Sequence, residues 1–410
     1  MILTPQEVEQ NRNLVINGAD SPRICLSMDN GICAEAISDV VKVIESGTTC
    51  YWRGGPKTHE LEQKFAALIG RKAAFFHNSG SAALLTGLYA LGADENSVVA
   101  ISSSGFVASL NAVYHARSRP VFLPTCPSTL VVESDVSQWV EEPVDVLLVT
   151  QFFGNVIDID RVRISSKTRF VLEDASQALG SQLNGQMVGA HGDVATFAGS
   201  QKKLLGSGTG GINVYDNPEF GERMRILAHH GKGETQYADV PGFNFFGGEL
   251  EATLALAALA RLLEKVALRQ EAAQRMIEVL KSAGLQCASP PSQLKSDIAW
   301  FDVGIILPPI WTKLSRDWLV KALQLEGVPA WYYPALIDMP WVKPWMSRNA
   351  WWGEREETLL IQEKALWDRV FVIATQISPN DAERCAEIVA ELLTNNVAAA
   401  KVVDAIKSPR

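Results

Sequence analysis

The chain lacks paired cysteines, an excess of basic charge and any long apolar run. Its six cysteines, Cys25, Cys33, Cys50, Cys126, Cys287 and Cys385, are scattered and form no C-x-x-C pair. That excludes a disulfide framework and a zinc knuckle. Acidic residues outnumber basic ones, 46 to 37, for a formal net charge of −9. Such a balance argues against a nucleic-acid-binding or anionic-membrane surface, while leaving room for a local basic pocket. No apolar stretch approaches the roughly 20 residues that span a bilayer. The opening run from Met1 to Glu7 soon meets charge and lacks the basic-then-apolar order of a signal peptide. A reducing cytoplasm is the expected location. There is no tandem repeat and no low-complexity tract.

What is present fits a globular protein. The 410 residues exceed what one hydrophobic core usually serves, so two domains are expected. Residues 81–92 read as a helix opened by small polar residues. Short apolar runs at 97–102, 120–123, 145–150 and 169–173 have the length and β-branched content of buried strands. Helical or loop stretches separate them, which predicts an α/β fold with a mainly parallel sheet. Residues 1–248 form the expected large domain, and 249–284 read as one long connecting helix. Gly284 and the Pro290-Pro291 pair mark a boundary, and 285–410 form a smaller α+β domain. Nine of the eleven tryptophans lie between Trp300 and Trp367, most of them expected in packing. The Trp331-Tyr332-Tyr333-Pro334 cluster follows Gly327 in a loop-like segment, where its side chains can face a ligand.

Four segments carry candidate chemistry. Asn78-Ser79-Gly80-Ser81 sits between an apolar run and a helix, where free backbone N–H groups and a positive dipole end can hold a phosphate. Read alone, it is also an ordinary helix cap. Asp174 ends an apolar run, where a buried acid needs a cationic partner, or else is a solvated loop acid. Strand alternation turns its neighbour Glu173 to the other face. Phe197 to Gly211 holds Lys202 and Lys203 before a glycine-rich tail. It is either a surface loop or the site of a lysine made nucleophilic by desolvation. Phe106, after Ser102-Ser103-Ser104-Gly105, is a stacking group or a core residue.

Together these segments resemble the DegT/DnrJ/StrS family of pyridoxal-phosphate (PLP) dependent sugar aminotransferases, from about Trp52 to about Lys265. The shared features include residues 59–66, 78–84, 173–180 and 189–193, the loop from Lys203 to Gly211, and Gly242-Phe243-Asn244 before Glu249. The resemblance implies the type I (aspartate-aminotransferase-like) fold. It places the Schiff-base lysine at Lys203 and leaves Lys202 on a variable position. It pairs Asp174 with the pyridine nitrogen, sets Gln177 near the ring oxygen and stacks Phe106 on the ring. Gly80 and Ser81 hold the phosphate, with Ser200 replacing a usual serine that is Ala198 here. Asn244 matches a residue that reaches the phosphate from the neighbouring subunit, so a homodimer with shared active sites is implied. Two further departures are Phe246, where an arginine is usual, and Gln151, where a histidine is common. Together the three departures predict phosphate binding that is weaker or rearranged, and a substrate that differs from the family's usual nucleotide sugars, since two polar positions are now apolar. Trp331, Tyr332 and Tyr333 are the candidate substrate residues, and no metal is expected.

The resemblance implies transfer of an amino group from glutamate or glutamine to a keto sugar, keto-cyclitol or related ketone, in amino-sugar or antibiotic biosynthesis. The alternative is a dehydrating or aromatising PLP lyase or synthase, of the amino-hydroxybenzoate kind. A non-enzymatic relative that keeps only the fold is the third reading.

Overall fold

A computed structural model describes residues 32–394 except 52–53, 291–293 and 312. The N-terminal segment, Cys25, Trp52 and Pro291 therefore lie outside the described residues. Fourteen strands occur among the described residues. The first five are β1 (Ala73–His77), β2 (Val98–Ser102), β3 (Arg119–Leu123), β4 (Val146–Thr150) and β5 (Phe170–Asp174). A short hairpin, β6 (Gln182–Leu183) and β7 (Gln186–Met187), precedes β8 (Val194–Ala198) and β9 (Gly211–Tyr215). The C-terminal region adds β10 (Gln286–Cys287), β11 (Ser296–Asp297), β12 (Asp302–Ile306), β13 (Ala330–Trp331) and β14 (Val370–Ala374).

Seven strands form the large sheet in the order β1-β9-β8-β5-β4-β2-β3. The expected apolar runs became β2 to β5, all mutually parallel, and β8 continues parallel to β5. Only β9 runs against the others, pairing antiparallel with β1 and with β8. Neither β8 nor β9 stands out as an apolar run, because a buried polar pair interrupts them: Thr196 Oγ1 donates to Asn213 Oδ1 at 2.8 Å. The parallel strands are buried on both faces, so their apolar content is continuous rather than alternating.

The expected single helix over 249–284 is two helices, Glu249–Ala260 and Leu262–Ser282. At Arg261 (φ −107°, ψ 9°) the N–H bonds back to Ala258 at 3.2 Å, a tighter spacing than that of an α-helix, and the helix is interrupted there by a turn. The second of these helices packs on Pro379–Thr394 against the antiparallel sheet β10-β12-β14-β13. The sheet's Val303, Ile305 and Phe371 enter that core. Residues between Leu336 and Trp367 instead join the core of the large sheet, beside Phe122 and Leu123. The Leu336 N–H donates to the Ser103 carbonyl at 2.8 Å, which brings this segment over the ends of β2 and β3. Trp345 and Trp367 are buried there, as packing residues. No described helix is long and apolar enough to cross a membrane.

Candidate active site

A cleft of about 560 Å³ opens at the C-terminal ends of β4, β5 and β8, the edge where open α/β sheets bind ligands. One side of it is the start of the helix Gly80–Ala90. Ser79 caps this helix, its Oγ accepting from the Ala82 N–H at 3.1 Å. The helix is apolar nearly all round and is buried from Ala82 to Leu88. Its N-terminal N–H groups therefore face the cleft with the positive end of the helix dipole. A Cβ on Gly80 would stand 2.8 Å from the Cβ of Ala198, so glycine is what lets the helix sit directly on the end of β8. Ser81 and Ser200 are exposed at the same rim.

The floor is set by two neighbouring acids that point opposite ways, as strand alternation requires. Glu173 turns away from the cleft. Its carboxylate accepts from Gln151 Nε2 (3.1 Å), the Gly189 and His191 N–H groups (both 3.0 Å) and the Gly192 N–H. Asp174 turns into the cleft and is 2% exposed. Ser109 Oγ donates to its Oδ2 at 2.6 Å, and the Ser176 N–H donates to Oδ1 at 3.1 Å. These two donors fix the orientation of the carboxylate. Gln177 is buried beside it, with Oε1 accepting from the Phe153 N–H at 2.9 Å. Thr150 ends β4 in the same wall, and its buried hydroxyl has no protein partner.

The two adjacent lysines part company. The turn that carries them is closed by the Lys203 N–H on the Ser200 carbonyl (2.8 Å) and by Ser207 Oγ on the Gly199 carbonyl (3.0 Å). Lys203 runs inward, and its Nζ sits 4.1 Å from the centroid of the Phe301 ring. Burial pushes its ammonium down to about 8, against the opposing pull of the Asp174 and Asp302 charges. Lys202 stays exposed at the mouth, its Nζ 5.0 Å from the Trp331 ring centroid.

The far wall comes from the C-terminal region: Phe301 and Tyr333 line it. Behind them Asp302 is 1% exposed, and neither of its oxygens has a partner within hydrogen-bond geometry. Burial pushes the Asp302 carboxyl up to about 8, despite Lys203, Arg269 and Lys202 nearby and the Tyr333 hydroxyl facing it. Arg269 donates from Nη2 to the Lys202 carbonyl at 3.0 Å, and burial pushes its guanidinium down to about 10.

The cleft thus brings together Gly80, Ser81, Phe106, Asp174, Gln177, Ser200, Lys203 and Tyr333. Phe106, half exposed, stands at the N-terminus of the helix Val107–His115. Trp331 meets the cleft through Lys202. Tyr332 faces a separate cleft, with its ring 3.9 Å from the Arg316 guanidinium carbon. Asn244 lies outside the lining and is exposed, and its carbonyl accepts from Asn78 Nδ2 at 3.0 Å. It follows a loop pinched shut between Gly231 and Gly242: the Asp239 N–H reaches the Gly231 carbonyl at 2.8 Å, and the His230 N–H reaches the Phe243 carbonyl at 2.8 Å. Of the three departures, Ala198 lines the cleft. Phe246 is buried edge-on against Phe75 and His229. Gln151 is engaged by Glu173 and by the Ile157 N–H. Ser109, Thr150, Phe301, Asp302 and Arg269 carry no local signal in the sequence, because only the tertiary fold brings them here.

The arrangement matches what PLP requires. A buried carboxylate that could face a ring nitrogen lies on the floor, an amine of lowered basicity stands near it, and a helix N-terminus and hydroxyls that could hold a phosphate line the rim. Phe106 is available for the ring face.

The family model for the DegT/DnrJ/EryC1/StrS aminotransferase family matches residues 31–350. The spore coat polysaccharide biosynthesis protein SpsC of Bacillus subtilis (strain 168) is 29% identical over 256 residues, covering 59% of this chain and 65% of SpsC. The match thus spans a little under two thirds of that relative's length. Among solved structures, 3-amino-5-hydroxybenzoic acid synthase superposes with a TM-score of 0.81 at 20% identity, covering 91% of this chain and 99% of that one. S. venezuelae DesV, solved with a ketimine intermediate, superposes with a TM-score of 0.75 at 23% identity, covering 95% and 100%. The aminotransferase from Psychrobacter cryohalolentis gives 0.78 at 19% identity, covering 90% and 99%.

Proposed function

The chain belongs to the DegT/DnrJ/EryC1/StrS aminotransferase family, and on that premise we propose that it moves an amino group from glutamate or glutamine to a keto sugar, keto-cyclitol or related ketone. Its fold is that of the PLP-dependent type I transferases, and PLP is the cofactor the family implies. The carrying observation is the convergence of Lys203, Asp174 and the Gly80 helix end on one cleft.

When bound, PLP supplies an aldehyde and a ring that accepts electrons from the carbon bearing the substrate's amino group. The protein's part follows from its own groups. Asp174, held by Ser109 and Ser176, would face the ring nitrogen and favour its protonated form. Lys203, with its basicity lowered to about 8, is neutral in part near neutral pH and would be the amine that holds the cofactor's aldehyde. The same Nζ would be the base and acid placed to move the substrate's proton within the cleft. The Gly80 and Ser81 N–H groups, with the Ser81 and Ser200 hydroxyls, would receive the phosphate. Phe106 would cover the ring, and Phe301 and Tyr333 would keep water from the far side.

The roles assigned to Asn244 and to the assembly are part of the proposal: a homodimer in which each site borrows Asn244 from its partner. The side chain's exposure outside its own cleft supports this. So does the apolar stripe of Ile37, Val41 and Ile44, exposed on the helix Ala34–Glu45. A cytoplasmic enzyme of amino-sugar or antibiotic biosynthesis is the setting the family pattern favours.

The test has three readouts. Borohydride reduction of the PLP-loaded protein, followed by peptide mapping, is expected to place the label on Lys203 in wild type and in Lys202→Ala, and to find none in Lys203→Ala. Label on Lys202 would overturn the assignment. Glutamate or glutamine should bleach the visible absorbance of bound PLP with release of the 2-oxo acid. If no amino donor does so, the dehydrating or aromatising reading replaces transamination. Mixing inactive Lys203→Ala and Asn244→Ala subunits should restore activity, and a fully active monomer would refute the shared site.

A further inference from the structure

Once cofactor roles are assigned, one charged group facing the cleft is left over. Asp174 is held by Ser109 and Ser176, Lys203 is enclosed under Phe301, and the Gly80 helix end serves a phosphate. Lys202 has none of these duties. It lines the cleft and is exposed, with its ammonium over the Trp331 indole at 5.0 Å. No ion pair among the described residues includes it.

The position of this lysine is built rather than incidental. Its carbonyl is clamped by the buried Arg269 guanidinium at 3.0 Å. The indole beneath it is fixed by strand pairing, Trp331 opposite Val372 on β14. Clamp and platform come from different parts of the chain, the helix Leu262–Ser282 and the C-terminal sheet. A cation resting on an aromatic face keeps its outward N–H bonds for a second partner. The acid it influences, Asp302, is buried behind the wall and cannot be reached from the mouth. What completes such a site is an anion entering from solvent.

We propose that Lys202 is a specificity-determining residue that binds a carboxylate or phosphate group of the substrate at the mouth of the cleft. The proposal rests on the aminotransferase reading and deepens it by naming the residue that holds an anionic group of donor or acceptor at the mouth. Two sources share this chemistry: a carboxylate of the amino donor, or an acidic group on the acceptor.

Calorimetric titration of the PLP-loaded protein separates them without requiring turnover. The probes are 2-oxoglutarate, for the donor side, and glucose 1-phosphate, for an acidic acceptor. Lys202→Gln is expected to weaken at least one of them about ten-fold, the size of one charge-assisted hydrogen bond. Lys202→Arg should regain most of that affinity, and borohydride labelling of Lys203 should be unchanged in both variants. Weakening of 2-oxoglutarate alone assigns the donor carboxylate, and weakening of glucose 1-phosphate alone assigns the acceptor. If neither affinity moves, or if wild type binds neither probe, the proposal is overturned. The aminotransferase reading fails separately, if wild type loaded with PLP responds to neither glutamate nor glutamine while the Lys202-dependent anion affinity persists.

Discussion

The two walls of the cleft are built on different principles. On the side of the large sheet, polar groups are met by backbone and short side chains: Glu173 has four donors, Asp174 has two, and Ser79 closes the helix start. On the C-terminal side, charges are buried with few partners. Asp302 has no hydrogen bond in good geometry, Arg269 donates to a single carbonyl, and the aromatic rings of Phe301 and Trp331 supply the contacts. On the first wall the hydrogen bonds hold each carboxylate in one orientation. Where burial dominates, the proton equilibria of Lys203 and Asp302 move toward neutrality. The first wall is suited to seating a cofactor, the second to tuning proton transfer beside it.

Substitutions on each side can break or sharpen this contrast. The largest effect is expected at Asp174→Asn: PLP still binds and still labels Lys203, while turnover falls about 10²–10⁴-fold. Near-normal turnover would make the acid merely structural. Next comes Glu173→Ala on the reverse face. It strands the N–H groups of Gly189, His191 and Gly192, and should cost about 3–5 kcal/mol in urea unfolding of the apoprotein. A loss under about 1 kcal/mol would show that water reaches those donors.

The C-terminal region is probed by pH. Burial pushes the Glu363 carboxyl up to about 7 from an ordinary 4.5, although it accepts from Thr125 and Trp367. The folded protein therefore holds a proton that the unfolded chain has released between those values. The stability this group contributes is fully present below 4.5 and is lost as pH rises through 7. Glu363→Gln should remove that decline, worth on the order of 3 kcal/mol, in unfolding measured from pH 4.5 to 8. An unchanged pH profile would mean the carboxyl is solvated after all. The smallest effect is expected at Asp302→Asn. Without that carboxylate, the Lys203 ammonium loses one of the two charges opposing its desolvation. The midpoint for PLP attachment to the apoprotein should then fall below about 8. A midpoint that stays put would place Asp302 outside the electrostatics of the site.

The contrast also explains what could be read from residue order. Gly80, Asp174 and Lys203 stand in local patterns, a strand end or a glycine-rich turn, whose backbone geometry dictates the residue type. The runs at 97–102 and 145–150 were legible because their strands are buried on both faces. Strands β8 and β9 were not, since the Thr196–Asn213 pair hides a polar contact inside a core. The break at Arg261 has no local signature, because nothing in an alanine- and leucine-rich segment announces it. Asp302 was invisible for a plainer reason. An acid at the head of an apolar strand is ordinary on a surface, and only the packing of β12 across the large domain buries it.

The pinched loop before Asn244 has a bearing on how such a protein can diversify. At its neck, a Cβ on Gly231 would meet the Val240 carbonyl oxygen at 1.6 Å, and one on Gly242 would meet the Gly231 nitrogen at 2.0 Å. The two glycines act as a clasp, and the residues between them form a bight whose ends are already joined. The strain of lengthening, shortening or recolouring that bight stops at the clasp, so the chain beyond it keeps its course toward Asn244 and Phe246. The tip, where Tyr237 is 81% exposed, is thus free to vary as an adjustable fingertip on a fixed knuckle, while the two glycines are not.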